Sequence, residues 1–181
     1  MPWSNWYPLN VFRVNLNAPN SGGIYRIKLK DGLCFVLKSS DGNYYWEGIH
    51  KANNELVSCF SKNEPMRVCD CRSRYIDEVC TDLVYIGRSE NIQQRLLQHI
   101  NGNGSRCIAI LLKEGYELFF SYLRREVPDD AEVNAFGRFV RETGGSCPPC
   151  DCGSNECSEA KGQNIHTYIV DPSFYDDKWI C

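Results

Sequence analysis

At 181 residues, with 43% hydrophobic and 12% aromatic content, the chain is long enough to bury an ordinary core and too short for several, so one domain with elaborations is expected. A formal charge of −3, from 20 Lys and Arg against 23 Asp and Glu, argues against a protein that coats nucleic acid nonspecifically, because such proteins carry a basic surplus that displaces counterions. The sequence opens with no basic segment leading into an apolar run and holds no stretch of about 18 apolar residues, so an intracellular, cytoplasmic protein with no membrane partner is expected.

In chain order, the first 22 residues are rich in Trp, Pro and Asn, and Trp3, Trp6 and Tyr7 suit an aromatic lid ahead of the "NAPNSGG" turn. "GIYRIKL", residues 23–29, alternates in the β manner, with Ile24, Arg26 and Lys28 on one face and Tyr25, Ile27 and Leu29 on the other, which predicts a half-buried strand. "LCFVLK" and "NYYWEGI", separated by "SSDG", predict a hairpin. Beyond it the periodicity is lost, polar residues dominate and cysteines recur as far as about residue 82, the pattern of an insertion.

Order returns with "LVYIG", a buried strand, followed by the helix of "SENIQQRLLQHINGNG". Ser89 is its expected cap and Asn103-Gly104 its end. Ile92, Leu96, Leu97 and Ile100 form the apolar stripe, and Arg95 and His99, at i and i+4, share the adjoining face. "YELFFSYL" predicts another strand. After Pro128, Asp129 or Asp130 caps a second helix, "AEVNAFGRFVRET", in which Val133, Phe136, Phe139 and Val140 face the core before Gly144-Gly145 stops it. An irregular segment, "SCPPCDCGSNECSEAKGQ", precedes a last strand, "NIHTYIV".

Eleven cysteines with no secretory signal point away from a disulfide framework and towards metal or reduced thiols. Cys147, Cys150, Cys152 and Cys157 supply four thiolates in a short span, including a Cys-x-x-Cys pair with chelate spacing, and are candidate zinc ligands. Cys59, Cys69, Cys71 and Cys80 make a weaker second group. The bland alternative is a pair of thiol-rich loops.

The strand, turn and helix over residues 83–100 bring Tyr85, Arg95 and His99 near one another, and Glu132 begins the later helix. A phenol, a guanidinium, an imidazole and a carboxylate suffice to cleave a phosphodiester, since the guanidinium offers forked donors to phosphate and the carboxylate can hold a hard divalent cation. Each also has a structural explanation: solvated helix residues, a Glu complementing the helix dipole, a packed strand Tyr.

"GIY" at Gly23, Ile24 and Tyr25, "YIG" at Tyr85, Ile86 and Gly87, then Arg95, His99, Glu132 and Asn164 in order, together resemble the GIY-YIG endonuclease family. The resemblance implies an α+β domain across residues 1–181, with a central antiparallel three-stranded sheet flanked by helices, interrupted by cysteine-rich insertions at about 30–82 and 145–162. The separation of Tyr25 from Tyr85 is longer than the family's usual hairpin. Tyr75 has closer to the usual spacing but lacks a preceding Gly-Ile, so Tyr25 is preferred.

What the resemblance implies is a DNA endonuclease acting by one-metal hydrolysis. Glu132 would hold Mg²⁺ or Mn²⁺, Arg95 would clamp the phosphate, and Tyr25 or Tyr85 would take the proton from the attacking water. His99 would accept a proton from, or hydrogen-bond to, a tyrosine, and Asn164 would orient the glutamate or the scaffold. Gly87 would allow the tight turn into the helix, and Arg88 and Arg106 are candidate DNA contacts. Two other readings are a noncatalytic nucleic-acid-binding module with zinc-stabilised loops and a protein-interaction domain using the aromatic N-terminus.

Overall fold

The run "GIYRIKL" becomes a strand buried on both faces, and the rest of the fold follows from covering it. The computed structural model of the chain describes residues 3–30, 33–40, 43–50, 66–67, 80–124, 131–142 and 147–151. Its strand β2 (Gly23–Leu29) lies between β7 (Leu83–Ser89) and β8 (Leu118–Arg124), antiparallel to both. A two-residue strand β1 (Tyr7–Pro8) pairs with the outer side of β8, so the sheet has the order β1-β8-β2-β7 and four strands where three were expected. The fold is α+β.

Burial of β2 on both faces corrects the expected half-buried strand, and the Trp-rich N-terminus explains the difference. The Arg26 guanidinium lies 4.1 Å from the Trp3 ring centre and 4.6 Å from that of Trp6, and Lys28 Nζ lies 4.9 Å from Trp6. Face-on cations of this kind are worth roughly 0.5–2 kcal/mol each. The indoles thus act as the expected lid, shielding a cation that alternation alone would have left in solvent. Tyr7 continues the lid, its ring centre 5.6 Å from that of Phe120.

Between β2 and β7 the chain builds a second sheet from β3 (Leu33–Ser40), β4 (Asn43–His50), β5 (Met66–Arg67) and β6 (Cys80–Thr81), in the order β5-β4-β3-β6. The expected hairpin is there, with Ser40 opposite Asn43. Phe35 is fully buried and joins the main core, so this excursion is packed on the domain. Through it β2 and β7 come side by side despite the long intervening sequence, with Tyr25 opposite Gly87.

Helix α2 (Ile92–Ile100) follows β7 directly. Its cap is Asn91, whose side chain accepts the Gln94 N–H at 2.9 Å, and not Ser89, which β7 retains as its last residue. Ser89 Oγ instead accepts the Asn91 N–H at 3.0 Å. Ile92, Leu96 and His99 are its buried residues, with Leu97 and Ile100 partly buried beside them. Gly102 leaves the helix at φ +80°, a conformation glycine adopts without steric cost.

Two helices were not anticipated. α1 (Val11–Asn17) buries only Val14, so its sequence shows no apolar stripe, while α3 (Arg106–Lys113) buries Ile108 and Leu111. α4 (Ala131–Glu142) occupies the expected place, and Phe136, Phe139 and Val140 are buried as expected. It packs against β7, as does the 3-10 turn Pro149–Asp151. Among the described residues no helix is long and apolar enough to cross a membrane.

The cysteines depart from expectation. Cys107 on α3 and Cys150 form a disulfide, with Cα atoms 5.3 Å apart, and Cys147 is also disulfide-bonded. Cys147 and Cys150 therefore offer no free thiolate to zinc, which needs the deprotonated sulfur. Spacing suggested a chelate because it could not reveal that α3 brings Cys107 to the same place. Cys59, Cys69, Cys71, Cys152, Cys157, Tyr75, Asn164 and the expected strand "NIHTYIV" lie outside the described residues.

Candidate active site

Residues directly opposite on neighbouring antiparallel strands share a face of the sheet. Tyr25 stands opposite Gly87 and Ile27 opposite Tyr85, so both tyrosines project from the face that α2 covers. Their ring centres are 5.9 Å apart with the planes 26° from parallel. A glycine between them is required: a Cβ on Gly87 would stand 2.7 Å from Tyr25 Oη, 2.8 Å from Tyr25 Cζ and 2.8 Å from Tyr85 Cε1. Gly87 lies within β7, so its contribution is space for two phenols and not the expected turn.

Above the pair sits His99, fully buried, its ring centre 4.9 Å from that of Tyr85 in an edge-on arrangement. The Ser105 backbone N–H donates to His99 Nδ1 at 2.9 Å, and Nε2 lies 2.8 Å from Tyr25 Oη. Burial, reinforced by the Arg95 cation, lowers the His99 pKa to about 4, so the imidazole is neutral at pH 7. A neutral imidazole carries one proton. With Nδ1 accepting from the backbone, that proton is on Nε2 and is donated to Tyr25. Of the two roles expected of His99, the structure shows the hydrogen bond to a tyrosine. Gly104 protects this arrangement, since a Cβ there would collide with His99 Nδ1.

The direction set at Ser105 propagates. Tyr25 Oη accepts from His99, which leaves its own hydroxyl proton to point elsewhere. Ser105 N–H and His99 thus form a chain of donors ending at Tyr25, on whose ring that of Tyr85 stacks. Tyr25 is fully buried, whereas Tyr85 is partly exposed, so the cluster runs from the interior to the surface.

Arg95, half-buried on α2, lies beside both phenol oxygens and favours their ionised forms. Its Nη1 donates to Gln98 Oε1 at 2.9 Å, which fixes the guanidinium on this side of the helix. Burial dominates nonetheless. It raises the Tyr25 pKa well above the ordinary phenol value, and burial followed by the Asp151 charge raises that of Tyr85 to about 12. Without further positive charge both phenols stay protonated at neutral pH.

Tyr25, Tyr85, Arg95 and His99 are therefore brought together. Glu132 is in the first turn of α4, the helix packed on β7, with only its backbone described. Arg106 is exposed at the start of α3, next to the Ser105 that supports His99. Arg88 is exposed too, but by strand alternation it leaves β7 on the face opposite Tyr85. Among the described residues no group of three or more His, Cys, Asp or Glu could hold a metal ion.

Sequence reasoning missed Gln98, Ser105, Gly104 and Asp151. Gln98 was findable, being three residues after Arg95 on the same helix face. Ser105 acts through its backbone, and Gly104 resembled a helix terminator. Asp151, 5% exposed, accepts the Ile86 N–H at 2.7 Å across 65 positions of sequence, and nothing in "CPPCDC" announces that contact. In comparisons with known proteins, no family model, no curated protein and no solved structure matches this chain.

Proposed function

We propose that the chain is a metal-dependent endonuclease that hydrolyses DNA phosphodiesters with a site of the GIY-YIG type. The observation that carries this reading is the directed chain from Ser105 through His99 to Tyr25, with the partly exposed Tyr85 stacked on Tyr25 and the Arg95 charge acting on both phenols. A structural cluster would satisfy its polar atoms internally. This one leaves a partly exposed phenol beside a guanidinium.

In this reading Tyr85 is the proton acceptor for the attacking water. Its phenolate is stabilised by the Tyr25 hydroxyl, whose oxygen is in turn polarised by His99 Nε2–H, and such chains strengthen as charge develops at one end. Arg95 donates to the phosphate, where its contribution grows with the negative charge of the transition state. A hard cation takes carboxylate oxygen, and the helix carrying Glu132 packs on the strand of Tyr85. A divalent cation held by Glu132 would neutralise charge on the leaving 3′ oxygen. Zinc bound by Cys147 and Cys150 forms no part of this reading, since both sulfurs are in disulfides.

Plasmid incubated with the purified chain and Mg²⁺ or Mn²⁺ tests the proposal. Nicking or linearisation is expected, stopped by chelator and by Glu132→Ala in a variant that remains folded. Cleavage that survives Glu132→Ala would remove the assigned ligand, and no cleavage with either ion would overturn the reading.

A further inference from the structure

The carboxylate of Asp151 is unused by the chemistry above, yet it is held in place beside the site. It is buried, it sits in the 3-10 turn packed on β7, and its Oδ2 accepts the Ile86 N–H at 2.7 Å. Ile86 is the residue between Tyr85 and Gly87. Among the described residues β7 is an edge strand of its sheet, and Asp151 takes the Ile86 N–H there. The neighbouring residue, Cys150, is bonded to Cys107 on α3, two positions after the Ser105 that holds His99. One covalent bridge therefore joins the segment supporting the imidazole to the segment supporting the second tyrosine.

An edge N–H can be satisfied by any acceptor, and a neutral Asn or a backbone carbonyl would do so without bringing charge into the interior. A carboxylate beside a phenol opposes its ionisation. We propose that Asp151 is a positioning residue of this site, its carboxylate fixing the β7 backbone between Tyr85 and Gly87 and setting a negative charge against Tyr85. This deepens the nuclease reading and rests on it for its purpose: Tyr85 keeps its proton while the site is empty and yields it when a cation and Arg95-bound phosphate add positive charge. Among the described residues, the other charged or titratable groups around Tyr85 are Tyr25 on β2 and Arg95 and His99 on α2, while Arg138 on α4 is buried. Of the described groups acting on the Tyr85 phenol by charge, Asp151 opposes its ionisation and Arg95 favours it.

The test uses the full chain with ring-labelled tyrosine, following Tyr85 ionisation by carbon NMR, with Tyr85→Phe identifying the signal. Asp151→Asn keeps an oxygen for the Ile86 N–H and removes the charge, whereas Asp151→Ala removes both. In Asp151→Asn the melting temperature should stay near that of the parent while the Tyr85 acid dissociation constant rises about tenfold or more, the size expected for a nearby like charge. In the cleavage assay the rising limb of the pH–rate profile should move to lower pH by the same factor. If Asp151→Asn restores stability relative to Asp151→Ala and leaves the Tyr85 titration where it was, the carboxylate is only an edge cap and the proposal fails. Because the titration is read without DNA, its outcome is separate from whether the chain cleaves DNA at all.

Discussion

Gly87→Ala is the smallest perturbation that reaches the whole site. The added methyl would meet Tyr25 Oη at 2.7 Å, Tyr25 Cζ at 2.8 Å and Tyr85 Cε1 at 2.8 Å, all well inside van der Waals contact. Neither ring can retreat easily: Tyr25 is fully buried and Tyr85 stacks on it. Overpacking of this kind costs about 1–3 kcal/mol, and pulling Tyr25 from His99 forfeits a hydrogen bond worth about 1 kcal/mol, so a loss of about 2–4 kcal/mol is expected. Urea unfolding followed by fluorescence measures it. Tyr25→Phe in the same chain removes the closest contact and should recover part of the loss, a non-additivity diagnostic of direct contact. If Gly87→Ala unfolds within about 0.5 kcal/mol of the parent, the range for ordinary surface changes, the tight packing of the two phenols is refuted.

Three further predictions bear on separate parts of the account. His99 has a folded pKa of about 4 against about 6.5 unfolded, so the unfolded chain binds its proton first; stability from this residue is complete above the unfolded value and falls by about 2 kcal/mol by about pH 5. Urea melts across that range should show the loss in the parent and not in His99→Gln, and a flat parental profile would contradict the buried neutral imidazole. Arg95→Ala should slow cleavage far more than it weakens DNA binding, because its contact strengthens as charge develops; equal losses would make Arg95 an ordinary phosphate contact. Cys107→Ser opens a bridge spanning 43 positions and should cost about 2–4 kcal/mol without releasing metal, whereas zinc lost on substitution would restore the thiolate-ligand expectation.

The parts of the fold legible in the sequence are those whose periodicity is set by burial. β2 spans the seven residues that alternation picked out, and the β3–β4 hairpin, α2 and α4 fall where their patterns place them. What alternation could not reveal is that Trp3 and Trp6 return over Arg26, making a polar position internal. α1 was hidden because Val11, Phe12 and Leu16 are exposed and leave no stripe to read. At the site, the identities of Tyr25, Tyr85, Arg95 and His99 were readable, but the tautomer of His99 depends on a backbone N–H, which carries no side-chain signature. Asp151 and the Cys107–Cys150 bridge are likewise products of tertiary folding, each joining segments that are far apart in sequence.

The central claim is that the partly exposed Tyr85 hydroxyl, stacked beside Tyr25, does phosphodiester chemistry. Single-turnover cleavage of plasmid with Mg²⁺ or Mn²⁺, comparing the parent chain with Tyr85→Phe, tests it most directly because the variant keeps the ring, the stacking and the charge. The account predicts nicking by the parent and a rate lower by about 10²–10⁴ in Tyr85→Phe, the range for losing a general base, with DNA binding retained. Equal rates in the two proteins would contradict it.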